Sequence, residues 1–314
     1  MSSNKNTLIL EPEEYSKKSI SSFKSIGTVF EFNEDFNNHK EIHIIICRLG
    51  FFLNMEFLSK FPNLEVIGSP TTSLTHIDQK VIQDRHIEVL SLRDCFEKIS
   101  NITSTSELTI GLTIDLVRRI SAYSSSVLKD GIWNRDQFRT RQISSMNIGI
   151  LGLGRIGSFV AEVFGKFGAS VRFYDCNKSI KSNFAKSVSK NLLLEKSDIL
   201  ILCPSWEHEN PVIIGSKEFN ILKKEALIVN TSRAEVIDHE CLIKSLKTGR
   251  VSGYATDVLP INYENDKVRS NELLKLHKEG FNIIITPHIG GRTTDAMSYT
   301  EDCIADLVMS HYKL

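Results

Sequence analysis

Three segments of the chain place a reactive side chain directly after a short apolar run. The side chains are Arg233, Asp257 and His288, and the preceding runs are Leu227–Val229, Val251–Ala255 and Ile283–Ile285. An arginine can grip a carboxylate through two parallel hydrogen bonds, and a histidine can pass a proton near neutral pH. Each residue alone is also typical of a cap or a solvated surface. If the runs are neighbouring parallel strands, the three side chains lie at one edge of a sheet, where open α/β sheets bind ligands.

A glycine-rich segment predicts a dinucleotide-binding loop. The apolar run Ile148–Leu151 continues into Gly-Leu-Gly-Arg-Ile-Gly at 152–157 and then into an amphipathic helix. The first glycine permits a tight turn, the second lets the backbone approach a pyrophosphate, and the third lets helix and strand pack closely. The helix N-terminus offers N–H groups and the positive end of its dipole to an anion. The predicted cofactor-binding residues of this loop are Gly152, Gly154, Arg155, Ile156 and Gly157.

A carboxylate follows the next apolar run and predicts which dinucleotide binds. The run Val171–Tyr174 ends at Asp175, at about the 20-residue distance from the glycines that ribose recognition needs. An acidic side chain there accepts hydrogen bonds from the ribose hydroxyls and repels a 2′-phosphate. The sequence therefore predicts NAD rather than NADP. The alternative is a tight strand–helix turn with a solvated aspartate, but glycines, strand, helix and carboxylate together favour the cofactor.

Strands and helices alternate along the chain around these motifs. Besides the runs already named, strands are predicted at Leu8–Leu10, Ile42–Cys47, Leu64–Gly68, Ile87–Leu90 and Ile199–Cys203. Continuously apolar short runs are typical of strands covered on both faces, and hence of parallel sheets with crossover helices. Apolar residues at steps of three and four predict helices over 156–167 and from about 104 to 122.

Composition excludes several classes of protein. The 314 residues suit two domains of ordinary size. Lys plus Arg and Asp plus Glu are both 38, so no nucleic acid or anionic membrane surface is predicted as a partner. No window approaches the roughly 18 apolar residues of a membrane span, and the polar Met1–Thr7 has no apolar signal core. The cysteines form no C-x-x-C pair, so we expect a cytoplasmic protein with free thiols and no metal site.

Taken together, the motifs resemble those of the D-isomer-specific 2-hydroxyacid dehydrogenases, the phosphoglycerate dehydrogenase group. The matching segments are GLGRIG with Asp175, NTSRAEVID at 230–238, TDV at 256–258 and TPHIGG at 286–291. Their order and spacing are specific, and the match runs through most of the chain. Ser104–Glu107 and Gly131–Trp133 also resemble family segments that precede the cofactor motif.

The resemblance implies an α/β fold with two Rossmann- or flavodoxin-like parallel-sheet domains. The NAD-binding domain, 113–291, would be inserted into a substrate domain formed by 1–112 and 292–314. The cleft between them would hold nicotinamide and substrate, and its closure would exclude water. A homodimer is also implied, with the helix near Ser104–Ala122 at its interface. Because the chain ends at Leu314, we expect no additional regulatory domain.

The resemblance also implies a role for each candidate residue. Arg233 would bind the substrate carboxylate and carbonyl, and His288 would exchange a proton with the carbonyl oxygen while hydride passes between NAD and a small 2-oxoacid or D-2-hydroxyacid. Further cofactor contacts would come from Pro204, Thr231, Ser232, Asp257 and Gly291.

On the substrate side, the resemblance assigns carboxylate binding to the loop 69–73, which contains Thr71 and Thr72. Arg48 stands where phosphate-binding members of the family place a cation. A solvated charge at the end of a strand explains Arg48 equally well.

Two positions depart from the family's pattern. The residue after Arg233 is Ala234, where glycine is usual, and the family's catalytic glutamate falls at Asn262. An amide can orient His288 but cannot supply the negative charge that raises a histidine pKa. A two-residue slip would make Glu264 the partner instead, and formate dehydrogenases of the same superfamily carry an amide at this place.

Asn262 also keeps a second function open. The family resembles transcriptional corepressors that bind the dinucleotide and dimerise, and a chain without the glutamate would suit such a sensor. The acid/base pair of Arg233 and His288 favours an enzyme, because a sensor does not need it.

Overall fold

A computed structural model describes residues 4–13, 15–137, 139–206, 210–260 and 271–313. Asn262 and Glu264 lie outside these described residues. The chain divides into two compact units, Met1–Ile102 with Arg292–Leu314 and Thr103–Gly291.

Twelve strands are formed by the described residues: β1 (Thr7–Ile9), β2 (Val29–Glu31), β3 (Ile44–Ile46), β4 (Val66–Ser69), β5 (Glu88–Ser91), β6 (Asn147–Leu151), β7 (Ser170–Tyr174), β8 (Lys186–Ser187), β9 (Ile199–Leu202), β10 (Ala226–Asn230), β11 (Val251–Thr256) and β12 (Ile283–Ile285). The α-helices are α1 (Lys17–Ile26), α2 (Met55–Leu58), α3 (Gln79–Arg85), α4 (Ser104–Arg118), α5 (Ile120–Asp130), α6 (Arg155–Lys166), α7 (Lys190–Lys196), α8 (Ser216–Ile221), α9 (His239–Lys247), α10 (Glu272–Lys278) and α11 (Thr294–His311). Strands and helices alternate through most of the chain, as the sequence predicts.

The first unit contains a five-stranded parallel sheet in the order β2-β1-β3-β4-β5. Successive residues of β3 face opposite sides, since Ile44 and Ile46 join one apolar cluster and Ile45 joins another. Both faces of the sheet are therefore covered, which explains why this strand is apolar at every position.

The second unit contains a seven-stranded parallel sheet in the order β12-β11-β10-β9-β6-β7-β8. In β9, Leu200 and Leu202 pack into one cluster, and Ile199 and Ile201 pack into the cluster on the opposite face. The α/β class with two parallel sheets agrees with the sequence-based prediction. None of the helices in the described ranges is long and apolar enough to cross a membrane.

The helix predicted over 104–122 is two helices. Arg119 adopts a left-handed backbone, φ 53°, and ends α4 by donating its N–H to the carbonyl oxygen of Asp115. The Asp115 side chain then accepts the N–H of Ser121 at 2.9 Å, within the first turn of α5. No glycine or proline marks this break, so helical periodicity alone could not reveal it.

The predicted domain boundary at residue 112 falls inside α4 and needs correction. Leu112, Leu116 and Val117 pack into the core beneath β6 and β10, so the whole helix belongs to the unit that starts at Thr103. A helix packed along one face of a sheet does not divide between two cores.

Candidate functional site

The three glycines of the 152–157 loop have three different structural environments. Gly152 has φ +90°, and a Cβ there would lie 2.7 Å from the Pro204 nitrogen. A Cβ on Gly157 would lie 2.2 Å from the Gly152 carbonyl oxygen, so strand and helix approach too closely for a side chain. A Cβ on Gly154 would meet nothing within 4 Å. The chain is thus packed around the first and third glycines and open at the second, where a pyrophosphate would approach.

The N-terminus of α6 is available to an anion. Gly154 precedes the helix, and no side chain among the described residues caps it. Arg155 and Ile156 are half-buried in the first turn, and burial lowers the pKa of Arg155. The phosphates of a dinucleotide fit this place, because the N–H groups of the helix N-terminus, the open space at Gly154 and the Arg155 guanidinium all suit an anion.

Asp175 is tied to this loop through its carboxylate. One carboxylate oxygen accepts the Leu153 N–H at 2.7 Å and the other accepts the Asn177 N–H at 2.9 Å. The main chain is joined as well, because the Gly152 N–H donates to the Tyr174 carbonyl oxygen at 2.9 Å. The carboxylate therefore has a fixed orientation beside the loop, and it keeps acceptor sites for ribose hydroxyls.

Arg233 lies at the end of a turn that the buried Asn230 organises. The Asn230 side chain donates to the Arg233 carbonyl oxygen at 2.9 Å and accepts the Ser232 N–H at 3.1 Å. Ser232 donates its hydroxyl to the Pro204 carbonyl oxygen at 2.5 Å. This bond joins the turn to Pro204, which also borders Gly152, so the predicted cofactor residues of β9 and β10 are neighbours.

Asp257 is buried and holds the loop that carries His288. Its carboxylate accepts the Thr286 hydroxyl at 2.6 Å, the Ile289 N–H at 2.9 Å and the Gly290 N–H at 2.8 Å. These bonds use three of the roughly four acceptor sites of a carboxylate. Its main role in the structure is therefore to fix this loop, a role that the sequence prediction of a cofactor contact did not include.

His288 has a left-handed backbone, φ 55°, which is uncommon for a residue with a side chain. The Asp257 bonds to Ile289 and Gly290 on its C-terminal side, and the bond from its own N–H to the Thr286 carbonyl oxygen at 3.0 Å, hold it there. Gly291, which closes this loop, is exposed, and a Cβ there would meet nothing within 4 Å. Strain of this kind persists where the surroundings enforce it, as at many functional sites.

Arg233, Asp257 and His288 are close enough to act on one another electrostatically. Desolvation by the surrounding protein lowers the pKa of His288, the positive charge of Arg233 lowers it further, and the negative charge of Asp257 opposes them. Within the described residues, the imidazole makes no hydrogen bond. The carboxyl edge of β10, β11 and β12 thus brings together the three groups that the sequence singled out.

The first unit presents the predicted substrate loop after β4. The Thr71 hydroxyl donates to the Ser73 carbonyl oxygen at 2.7 Å and lies 2.9 Å from the Ser69 hydroxyl. The exposed Thr72 accepts from Arg93 through its carbonyl oxygen at 2.6 Å. The main-chain N–H groups of Thr71 and Thr72 meet no acceptor in the parts of the chain that the structure describes. These two N–H groups are therefore available to a carboxylate.

Arg48 is a correction to the sequence prediction. Its guanidinium forms an ion pair with the fully buried Glu301 of α11 and lies over the Tyr15 ring, 5.0 Å from the centroid. Its N–H donates to the Glu11 carboxylate at 2.6 Å. The charge is compensated within this unit, which argues both against a substrate-phosphate site and against a solvated charge.

Asn230 and Thr286 are positioning residues that the sequence analysis missed. Asn230 lies in the last position of β10, and asparagine at such a point often bonds the backbone of the following turn. That local signal was present in the sequence. The bond from Thr286 to Asp257 spans two separate segments, so local sequence could not reveal it.

Comparisons with known proteins point to one family. Residues 110–290 match a family model described as D-isomer specific 2-hydroxyacid dehydrogenase, NAD binding domain. D-3-phosphoglycerate dehydrogenase of Methanocaldococcus jannaschii is 29% identical over 275 residues, which are 86% of this chain and 49% of that protein. D-3-phosphoglycerate dehydrogenase 2 of Saccharomyces cerevisiae is 31% identical over 310 residues, which are 93% of this chain and 64% of that protein. The chain therefore spans about half to two-thirds of the length of these relatives.

A solved structure with the same fold is the NAD-dependent formate dehydrogenase from Staphylococcus aureus in complex with NAD. Its TM-score is 0.82 at 22% identity, and the alignment covers 98% of this chain and 96% of that one. At this identity the likeness establishes the fold.

We predict that Asp175 sets the preference for the cofactor. The native protein should bind NADH more tightly than NADPH, because the carboxylate accepts ribose hydroxyls and repels a 2′-phosphate. Asp175→Ala should weaken NADH binding by about tenfold, as expected for lost hydrogen bonds to a charged group, and should reduce the preference. Fluorescence titration with both reduced cofactors measures this. Asp136→Ala, at an 89% exposed side chain, is the control, and tighter NADPH binding by the native protein would contradict the prediction.

Proposed function

The chain belongs to the D-isomer-specific 2-hydroxyacid dehydrogenase family, and we propose that it interconverts a small 2-oxoacid and a D-2-hydroxyacid with NAD. The observation that carries the proposal is the juxtaposition of Arg233 and His288 at the carboxyl edge of the sheet that also carries the dinucleotide loop. A carboxylate-binding cation beside an acid/base is what this chemistry requires. NAD supplies the hydride acceptor or donor when it is bound.

The second unit would bind the cofactor at several points along its sheet. The α6 N-terminus and the open space at Gly154 suit the pyrophosphate, and Asp175 suits the adenosine ribose. Pro204, Thr231, Ser232 and Gly291 would line the remainder. Asp257, with one acceptor site left over, would accept a hydrogen bond from the nicotinamide amide.

Arg233 and His288 would handle the substrate. Arg233 binds the carboxylate and the carbonyl oxygen and stabilises the negative charge that develops there during reduction. His288 donates a proton to that oxygen in reduction and accepts it in oxidation. Because burial and Arg233 lower the pKa of His288, the protonated form needed for reduction is lost at a lower pH than for a free imidazole.

The first unit would contribute the loop after β4. We propose that the N–H groups of Thr71 and Thr72 bind the substrate carboxylate, since they have no protein acceptor among the described residues. Arg48 is left out of this proposal because Glu301 compensates its charge.

We also propose that the chain forms a homodimer through α5 rather than α4. No residue of α5 is buried, and Leu128 and Trp133 are 82% and 89% exposed. Ile120 and Ile132 are exposed apolar side chains of the same segment, and exposed apolar residues concentrated in one segment favour an association site. We keep a cytoplasmic location as a prediction from the sequence.

Arg233→Lys should lower kcat/KM for the best 2-oxoacid by about 100-fold or more, because lysine cannot reproduce the planar two-bond grip. NADH affinity should change little. Steady-state assays with NADH and a panel of 2-oxoacids test both the variant and the proposed activity. Arg135→Lys, at a 96% exposed side chain, is the matched control. Turnover by the native protein rules against a pure sensor, and near-native turnover by Arg233→Lys would remove Arg233 from the mechanism.

Asn262→Glu should move the descending limb of the pH profile upward. Reduction needs protonated His288, so its rate is present below the histidine pKa and is lost as the pH rises through it. A carboxylate at position 262 would stabilise the imidazolium and raise that pKa. The measurement is kcat/KM for 2-oxoacid reduction against pH in both proteins. An unchanged limb counts against Asn262 as the partner, and a shift on Glu264→Gln would identify Glu264 instead.

The native protein should have the mass of two chains in light scattering after size-exclusion chromatography. Replacing Leu128 and Trp133 together by lysine should give a monomer, because both charges would be buried in the interface. Phe167→Lys, at a 48% exposed site at the end of α6, should remain a dimer. A native monomer would overturn this proposal.

A further inference from the structure

We propose that Thr109 of α4 is a positioning residue that sets the orientation of Arg233 relative to His288. This inference rests on the proposed function, since it concerns the same two side chains. α4 packs against β10 and β11, the strands that precede the Arg233 turn and Asp257. All of these elements belong to the second unit.

The hydrogen bond between Thr109 and Thr231 has a direction that follows from its surroundings. The two hydroxyl oxygens are 2.7 Å apart and both side chains are buried. The Thr109 hydroxyl donates its proton to the Thr105 carbonyl oxygen at 2.7 Å. A hydroxyl carries a single proton, so Thr231 must donate and Thr109 must accept. The orientation of the Thr231 side chain is therefore fixed by α4.

This bond restrains the turn that ends at Arg233 from a second direction. Asn230 holds the main chain of the turn through Ser232 and Arg233. Thr109 holds the side chain of Thr231, the first residue of the turn. Thr231 lies two residues before Arg233. Without the Thr109 hydroxyl, the buried Thr231 hydroxyl would lose its acceptor, and a buried polar group without a partner drives a local rearrangement.

The same face of α4 also contacts the His288 loop. Thr105 lies one turn before Thr109, and residues four apart share a helix face. The Thr105 methyl carbon is 3.1 Å from the point that a Cβ on Gly290 would occupy. Gly290 is the residue whose N–H binds Asp257. Two adjacent turns of one helix thus support the Arg233 turn and the His288 loop.

The pKa of His288 depends on the position of the Arg233 turn. Among the described residues, the charged groups that act on its ring are Arg233, which lowers the pKa, and Asp257, which raises it. A displacement of the Arg233 turn would weaken the first effect and leave the second. The pKa of His288 should then rise. Loosening that resolvates the ring would also raise the pKa, because burial is the largest cause of its lowering, so the comparison with an equally buried control on the same helix separates the two causes.

Thr113 provides a matched control on the same helix. It is fully buried like Thr109, and its hydroxyl likewise donates to the carbonyl oxygen four residues earlier, at 2.7 Å. Within the part of the chain that the structure describes, it makes no bond to the Arg233 turn. Thr109→Val and Thr113→Val therefore remove the same atoms from equivalent helical positions, and only the first removes the acceptor of Thr231.

The experiment compares the native protein with Thr109→Val, Thr109→Ser and Thr113→Val. The His288 pKa is measured by NMR titration of the imidazole in the cofactor-free protein, and kcat/KM is measured with NADH and the best 2-oxoacid. Thr109→Val should raise the pKa and lower kcat/KM by about 10- to 100-fold, the effect of a small misplacement of a catalytic group. Thr109→Ser should restore both values toward native, and Thr113→Val should leave both near native.

The outcomes separate this inference from the proposed function. Equal His288 pKa values in Thr109→Val and Thr113→Val would overturn the positioning role, whatever the activity. If the native protein turns over no 2-oxoacid while Thr109→Val alone raises the pKa, the proposed function fails and the positioning role stands.

Discussion

The buried carboxylate of Asp257 is the interaction on which the candidate active edge depends. It satisfies a hydroxyl and two main-chain N–H groups of the segment 286–290, and its own N–H donates to the Asn230 carbonyl oxygen at 3.0 Å. It therefore joins β10, β11 and the loop after β12 in a single network. Removing it would leave three donors without a partner and release a histidine held in a left-handed backbone conformation.

Parallel strand order explains why distant segments of the sequence meet there. β10, β11 and β12 are adjacent in the sheet, and all run in the same direction. Their carboxyl ends thus place Asn230, Asp257 and Thr286 side by side although the chain separates them by tens of residues. The apolar runs of the sequence predicted these strands and their covered faces. The sequence motifs, together with the predicted strands that precede them, singled out Arg233, Asp257 and His288.

The features that sequence could not predict depend on contacts between segments. Arg48 follows a strand in the sequence just as a substrate-binding cation would, and only the fold reveals that Glu301, in the last helix, compensates it. Asp257 was predicted to contact the cofactor, and its three loop bonds depend on residues about thirty positions away. The break at Arg119 has no glycine or proline to announce it. β2 (Val-Phe-Glu) ends in a charged residue and β8 (Lys-Ser) has no apolar residue, so neither stands out as an apolar run.

The first unit is assembled from both ends of the chain, and this has a consequence for biosynthesis. Ile304 of α11 packs against β4 so closely that a Cβ on Gly68 would lie 2.8 Å from its side chain. Glu301 compensates Arg48, and the Tyr312 hydroxyl donates to Glu65 at 3.0 Å. The second unit, 103–291, is continuous, and chains fold as they emerge from the ribosome. It can therefore complete its core first, while the sheet of the first unit waits with one face uncovered until the residues of α11 have been synthesised.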